Sequence, residues 1–153
     1  MILTAYPNMR GVLFELPHAI EGARKTLGAA GLGERCEVVS GDFFRSVPEA
    51  GDAYMLSRVI HDWADDKAAA ILKIIRGVVP AKGRVFLFET MIRSEKRLSY
   101  PLLSDLNMVM RTGGRERTEA GYRALYKAAG FKMIRAIRTP SPTGMSIIEG
   151  KPV

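Results

Sequence analysis

The sequence predicts an α/β fold built on a doubly wound, largely parallel sheet. Three observations carry that reading. Strand-like and helix-like segments alternate through the first half of the chain. Residues 84–89 (RVFLFE) form an unbroken apolar run, the pattern of a strand covered on both faces. Polar residues able to do chemistry gather just after the strands, where open α/β sheets bind ligands.

Residues 11–16 (GVLFEL) form a short apolar run that ends at an acid and is stopped by Pro17, which marks a strand. Residues 18–30 place Ile20, Ala23, Leu27 and Ala30 at helical spacing, and Gly31 supplies a C-terminal stop. Segments 35–39 (RCEVV) and 53–56 (AYML) are the second and third strands, the latter followed by a loop through His61–Trp63. Over 65–79, Ala68, Ile71, Leu72, Ile75 and Val79 share one helical face. Residues 80–83 (PAKG) make a turn into the strand 84–89. The end of the chain differs: a helix at 100–111, then a helix capped by Thr118 and running to about Ala129, with Tyr122, Leu125, Tyr126 and Ala129 on one face. Residues 131–139 and 144–150 form a closing antiparallel hairpin.

Glu15 ends the first strand, Asp42 follows the second, Ser57, Arg58, His61 and Asp62 follow the third, and Glu89 ends the fourth. Each has an ordinary explanation: solvent exposure, turn chemistry at Gly41–Asp42, or helix capping by Asp62. Four successive strand ends on one rim are more specific than any single residue. His61 is one of two histidines and is the side chain suited to act as a base near neutrality, whereas His18 reads as a surface helix residue. Glu89 follows four apolar residues, which places its carboxylate at the edge of the core.

The chain has 153 residues, 47% of them apolar, enough to make a core without disulfides, and Cys36 is its single cysteine. No apolar run approaches the roughly 20 residues of a membrane span, and the N-terminus lacks a signal-peptide pattern, so the expectation is a cytoplasmic protein without a membrane partner. The net charge of +7 raises the question of nucleic acid. The excess is confined to Arg93–Arg138, with 11 basic against 4 acidic residues and no Lys/Arg run. Its tyrosines fall on helical core spacing and do not interleave with arginine as a stacking platform would. Nucleic acid is therefore not the expected partner.

The motifs FELP (14–17), GDFF (41–44), SRVIHDW (57–63), Glu89, DLNM (105–108) and GGRERT (113–118) occur together in this order. In them the chain resembles the S-adenosylmethionine-dependent O-methyltransferases of the caffeate and plant-phenolic type and their bacterial relatives that tailor polyketides and other aromatic metabolites. The resemblance covers essentially the whole chain. It implies a Rossmann-like class I methyltransferase sheet with helices on both faces and a C-terminal antiparallel hairpin. By the same resemblance, Glu15 matches the acid that holds the cofactor ribose, Asp42 and Phe43 the pair beside the adenine, and Ser57 a further cofactor position. His61 matches the general base, Glu89 and Glu116 the carboxylates that orient it, and Asp62 a neighbour that helps hold the acceptor. Asp105, Asn107 and Met108 match the helix lining the acceptor pocket. The implied cofactor is S-adenosylmethionine, with S-adenosylhomocysteine as product and no metal. The implied partners are a small aromatic acceptor and a second copy of the chain, as a homodimer.

The departures matter as much. The family's first strand and its glycine-rich Asp-x-Gly-x-Gly loop have no counterpart in this sequence, and at Ser57 many relatives carry lysine. The expectation is a partial catalytic domain over 1–153, truncated at its N-terminus, in which the first and third strands must pair across a gap or recruit another chain. A catalytically incompetent fragment or interaction module is the competing reading, and the basic stretch is expected to form the surface of the acceptor-side cap.

Overall fold

The computed structural model of the protein describes residues 2–93 and 99–153. Lys96 and Arg97, counted in the basic stretch, lie outside the described residues. The chain divides into two compact units, Met1–Glu49 and Ala50–Val153.

In the first unit a short helix α1 (Ile2–Ala5) precedes β1 (Gly11–Glu15), α2 (Ile20–Ala29) and β2 (Cys36–Ser40). The strands pair in parallel, Gly11 against Cys36 through Glu15 against Ser40, so α2 is the crossover of a β-α-β unit. A 3-10 turn at Pro17–Ala19 takes the place of the first helical turn expected there, and Ala30 is the C-cap. Gly31 adopts φ +66°, a left-handed conformation that ends the helix at little cost for a residue without a Cβ. Ile20, Ala23 and Leu27 are half-buried, but Ala30 is exposed, and α2 has no fully buried residue.

The second unit contains β3 (Ala53–Ser57), α3 (Asp65–Val78), β4 (Arg84–Ile92), α4 (Tyr100–Arg111), β5 (Arg117–Thr118), α5 (Glu119–Ala128), β6 (Phe131–Arg138) and β7 (Met145–Pro152). Its sheet runs β3-β4-β7-β6, with β5 pairing the far end of β4. β3 and β4 are parallel, while β7 lies antiparallel to both β4 and β6. The hairpin thus folds back so that its second strand joins the sheet interior. Among the described residues β1 pairs with β2 and β3 with β4. No described helix is long and apolar enough to cross a membrane.

The helix faces follow their periodicity. Ala68, Ile71, Leu72, Ile75 and Val79 are all buried, as are Tyr122, Leu125, Tyr126 and Ala129. The Thr118 hydroxyl accepts from the Gly121 N–H at 3.2 Å and caps α5. One expectation needs correction: the fourth strand does not end at Glu89. It continues to Ile92 because Glu89 and Thr90 pair with Ser146 and Met145 of β7, and Met91 and Ile92 pair with β5. Only its parallel ladder with β3 stops there, at Ser57 against Phe88.

Tyr126 ties α5 to the sheet. Its hydroxyl donates to the carbonyls of Ile148 (3.0 Å) and Val85 (3.3 Å), and its ring lies edge-on to Phe131 at 5.9 Å. A Cβ on Gly150 would come within 2.5 Å of that ring, so the ring's seat on β7 depends on glycine. Tyr126→Phe should lose about 1–1.5 kcal/mol of stability in denaturant titration. Gly150→Ala should lose more, about 1–3 kcal/mol, because the ring must leave its seat.

Candidate functional site

The second unit gathers its ionisable groups where β3 parts from β4. Arg58, just past β3, adopts φ +55°, a left-handed conformation costing a non-glycine residue about 1–2 kcal/mol. The turn aims two successive N–H groups, of Val59 and Ile60, at one oxygen of Glu89, at 3.1 and 2.8 Å. Glu89 is fully buried and its other oxygen, Oε2, has no hydrogen-bond partner among the described residues. Burial pushes its carboxyl up to about 7, against the pull of His61 and the two N–H groups.

His61 lies in the 3-10 turn Ile60–Asp62 and is 3% exposed. Its Nδ1 is 3.2 Å from Glu116 Oε1 and 3.6 Å from Glu89 Oε2. An ionised carboxylate only accepts, so Nδ1 carries the proton in that contact and Nε2 is left with its lone pair. Nε2 faces Asp62 Oδ1 at 3.7 Å. The hydrogen bond to Glu116 raises the imidazole pKa above 6.5; burial opposes this, and the charges of Glu89, Glu116 and Asp62 add to it. The result is an imidazole with one nitrogen anchored and the other available.

Glu116 is itself held. Its Oε1 accepts from the Ser104 hydroxyl at 2.7 Å, and its backbone N–H donates to Asp105 Oδ1 at 2.9 Å. Asp105, expected to line an acceptor pocket, thus has one oxygen committed to placing Glu116. On the same helix Met108 is buried and Asn107 exposed, so these neighbours serve different faces. Tyr122 buries a hydroxyl that has no hydrogen-bond partner among the described residues; burial and then the two glutamates push its pKa up.

The predicted cofactor residues Glu15, Asp42 and Phe43 belong to the first unit. Parallel pairing of β1 with β2 sets Glu15 beside Ser40, so Glu15 and the 41–43 segment share one carboxyl edge. The Glu15 side chain is exposed. Asp42 Oδ1 accepts from the Phe44 N–H at 2.8 Å, an Asx turn, and Oδ2 faces Arg45 at 3.8 Å. The ordinary turn role is therefore real, and it leaves acceptor capacity on both oxygens. The Phe43 and Phe44 rings sit 5.1 Å apart, and a Cβ on Gly41 would overlap the Phe14 ring. Ser57, exposed at the end of β3, belongs to the second unit.

The ligand-type atoms of His61, Glu89 and Glu116 lie within 4.8 Å of one another, a spacing a cation could use. Ligation through Nδ1 would first require removing the proton it shares with Glu116. Two residues the sequence does not single out belong to this cluster: Ser104 and Arg117. Arg117 sits beside Glu116 in GGRERT but is 4% exposed, which corrects the expectation that the basic stretch is all surface. No local pattern signals it, since the adjacent Glu116 and Arg117 are both buried.

Comparison with known proteins gives a consistent result. The O-methyltransferase domain family matches residues 1–132. O-demethylpuromycin-O-methyltransferase of Streptomyces alboniger is 42% identical over 99% of this chain and 41% of its own length. The structure of LaPhzM superposes with a TM-score of 0.94 at 39% identity, over 99% of this chain and 45% of that one. An O-methyltransferase from neocarzinostatin biosynthesis, solved with S-adenosyl-L-homocysteine and 1,4-dihydroxy-2-naphthoic acid, superposes with a TM-score of 0.89 at 30% identity, over 99% and 44%. The chain thus spans less than half the length of the relatives it matches. Its class I α/β architecture and the family match over most of its residues agree: the chain belongs to the O-methyltransferase family.

Proposed function

We propose that this chain is the catalytic portion of an S-adenosylmethionine-dependent O-methyltransferase that methylates a hydroxyl of a small aromatic acceptor, with His61 as general base. The observation that carries this reading is the His61 geometry: Nδ1 fixed by a buried carboxylate at 3.2 Å, Nε2 left to take a proton. The solved relative bound to a dihydroxynaphthoic acid supports the acceptor class.

The exposed carboxylate of Glu15, at the same edge as Asp42 and Phe43, suits a ligand with vicinal hydroxyls and a flat base, so these residues would hold the cofactor, with Ser57. S-adenosylmethionine, when bound, supplies a methyl group on a positively charged sulfur, open to attack by an oxygen. A phenol, with a pKa near 10 as in tyrosine, is mostly protonated at neutral pH. His61 Nε2 takes that proton as the oxygen attacks. Glu116, Glu89 and Asp62 then face the imidazolium and stabilise the charge it has gained. Asp62 would also help hold the acceptor, and Asp105, Asn107 and Met108 would line its pocket along α4. The reading extends to a cytoplasmic homodimer, as the family resemblance implies.

The share of the relatives covered, 41–45%, favours a second reading for the chain taken alone: a piece of such an enzyme that lacks its cofactor loop and binds no cofactor. Calorimetric titration with S-adenosylhomocysteine decides between them. Micromolar binding that disappears in Asp42→Ala supports the first; heat-free injections support the second.

Two kinetic outcomes follow for the methylating enzyme. His61→Gln should lower kcat by about 10²–10⁴-fold, the usual contribution of a positioned base, while the KM for S-adenosylmethionine stays within about twofold. The pH–rate profile should rise with pH along a limb above 6.5, since the base works only when neutral and its pKa is raised. Glu116→Gln keeps an acceptor for Nδ1 but removes the charge, so that limb should move to lower pH. A limb that stays in place would remove Glu116 from this role.

A further inference from the structure

We propose that Arg117 is a positioning residue for His61, fixing the backbone on both sides of the imidazole; the proposal rests on the reading of His61 as the base. The guanidinium is buried, and two of its nitrogens donate to the loop that carries His61. Its Nη1 donates to the carbonyl of Ile60 at 3.1 Å, and its Nη2 to the carbonyl of Trp63 at 2.8 Å. These carbonyls bracket the dipeptide His61–Asp62. Nε donates to Asp65 Oδ1 at 2.9 Å, which supplies the compensating charge at the start of α3, and Nη1 also reaches the Arg115 carbonyl at 3.3 Å. A planar fork with fixed donor directions can hold three carbonyls and a carboxylate at once; a lysine ammonium in that place cannot.

The neighbouring residues bind the same loop. The Arg115 N–H donates to the His61 carbonyl at 2.8 Å. A Cβ on Gly114 would overlap that carbonyl oxygen and come within 2.5 Å of the Asp62 carbonyl carbon, so the approach needs glycine. Glu116, one residue before Arg117, meets the imidazole Nδ1 at 3.2 Å. Segment 114–117 thus grips one histidine by backbone and by ring. Pairing of Arg117 with Met91 anchors the segment to β4, the strand that carries Glu89. Both carboxylates around Nδ1 are therefore referenced to one strand, and Arg117 references the histidine to it as well.

If Arg117 only filled space, replacing it would lower stability and leave the imidazole's surroundings alone. If it positions His61, loosening the loop lengthens the contact with Glu116, and the imidazole titrates lower. The groups facing His61 are Asp62 on its own turn, Glu89 on β4 and Glu116 ahead of β5; Arg117 and Asp65 stand behind the loop. Arg117→Lys keeps the charge and removes the fork, so a change reports geometry rather than lost charge.

The experiment is an NMR pH titration of the chain labelled in its two histidines, His18 and His61, on wild type, Arg117→Lys, Asp65→Asn and Tyr126→Phe. Asp65 is largely exposed, so its variant tests the same clamp should Arg117→Lys fail to fold. In Arg117→Lys and Asp65→Asn the His61 midpoint should move down toward 6.5, whereas Tyr126→Phe, destabilised outside the loop, should leave it in place. In a methylating enzyme, Arg117→Lys should lower kcat up to about 100-fold, the penalty of an ångström-scale misplacement, with little change in the KM for S-adenosylmethionine. An unmoved His61 midpoint in both loop variants, or an equal shift in Tyr126→Phe, overturns the proposal. The titration needs no activity, so it stands apart from a failure of the methyltransferase reading, which would show as undiminished turnover in His61→Gln.

Discussion

Everything in the larger unit answers to one constraint, a carboxylate buried in the middle of a strand. Glu89 has no exposed surface. An isolated buried charge would cost several kcal/mol, so the surrounding chain must solvate it or keep it protonated. The fold does some of each. It turns two N–H groups inward by accepting a left-handed arginine at position 58, and it brings an imidazole within 3.6 Å. Burial still wins, and the carboxyl is held near 7.

The second carboxylate solves a different problem. Glu116 fixes which imidazole nitrogen carries hydrogen, because its Oε1 already receives Ser104 and accepts Nδ1–H as a second bond. Its own backbone is pinned by Asp105, one residue along α4 from Ser104. A helix therefore sets the acid, the acid sets the tautomer, and the tautomer sets which nitrogen is left as a base. With Arg117 and Gly114 on the backbone side, the imidazole has few ways to turn. This rigidity matters because a base contributes only when its lone pair points where the proton is.

Local pattern makes part of this arrangement legible in the sequence. The faces of α3 and α5 are readable because five and four apolar residues recur at helical spacing, and all are buried. His61, Glu89 and Glu116 are reached through motif resemblance, and the fold brings these three together. What stays hidden depends on pairing at long range. The two residues of β5 carry no strand signal of their own; they are a strand because β4 runs on to Ile92. That extension is invisible locally because Thr90–Ile92 looks like any exit from a strand, and only β7 and β5 hold it straight. Arg117 reads as surface charge because composition cannot tell a buried guanidinium from a solvated one. Asp105 reads as a pocket residue by resemblance, whereas one of its oxygens accepts from a backbone amide in the turn before β5.

The division of labour between the two units has a physical consequence. Each partner found for His61, from Ser104 to Arg117, lies within Ala50–Val153. The residues proposed for the ribose and adenine, Glu15, Asp42 and Phe43, lie within Met1–Glu49. The groups that raise the His61 pKa, Glu116, Glu89 and Asp62, all belong to the larger unit. In the proposed reaction, the imidazolium that His61 would become lies 3.2–3.7 Å from three carboxylates that are already in place. Preorganisation of this kind needs little rearrangement during the reaction.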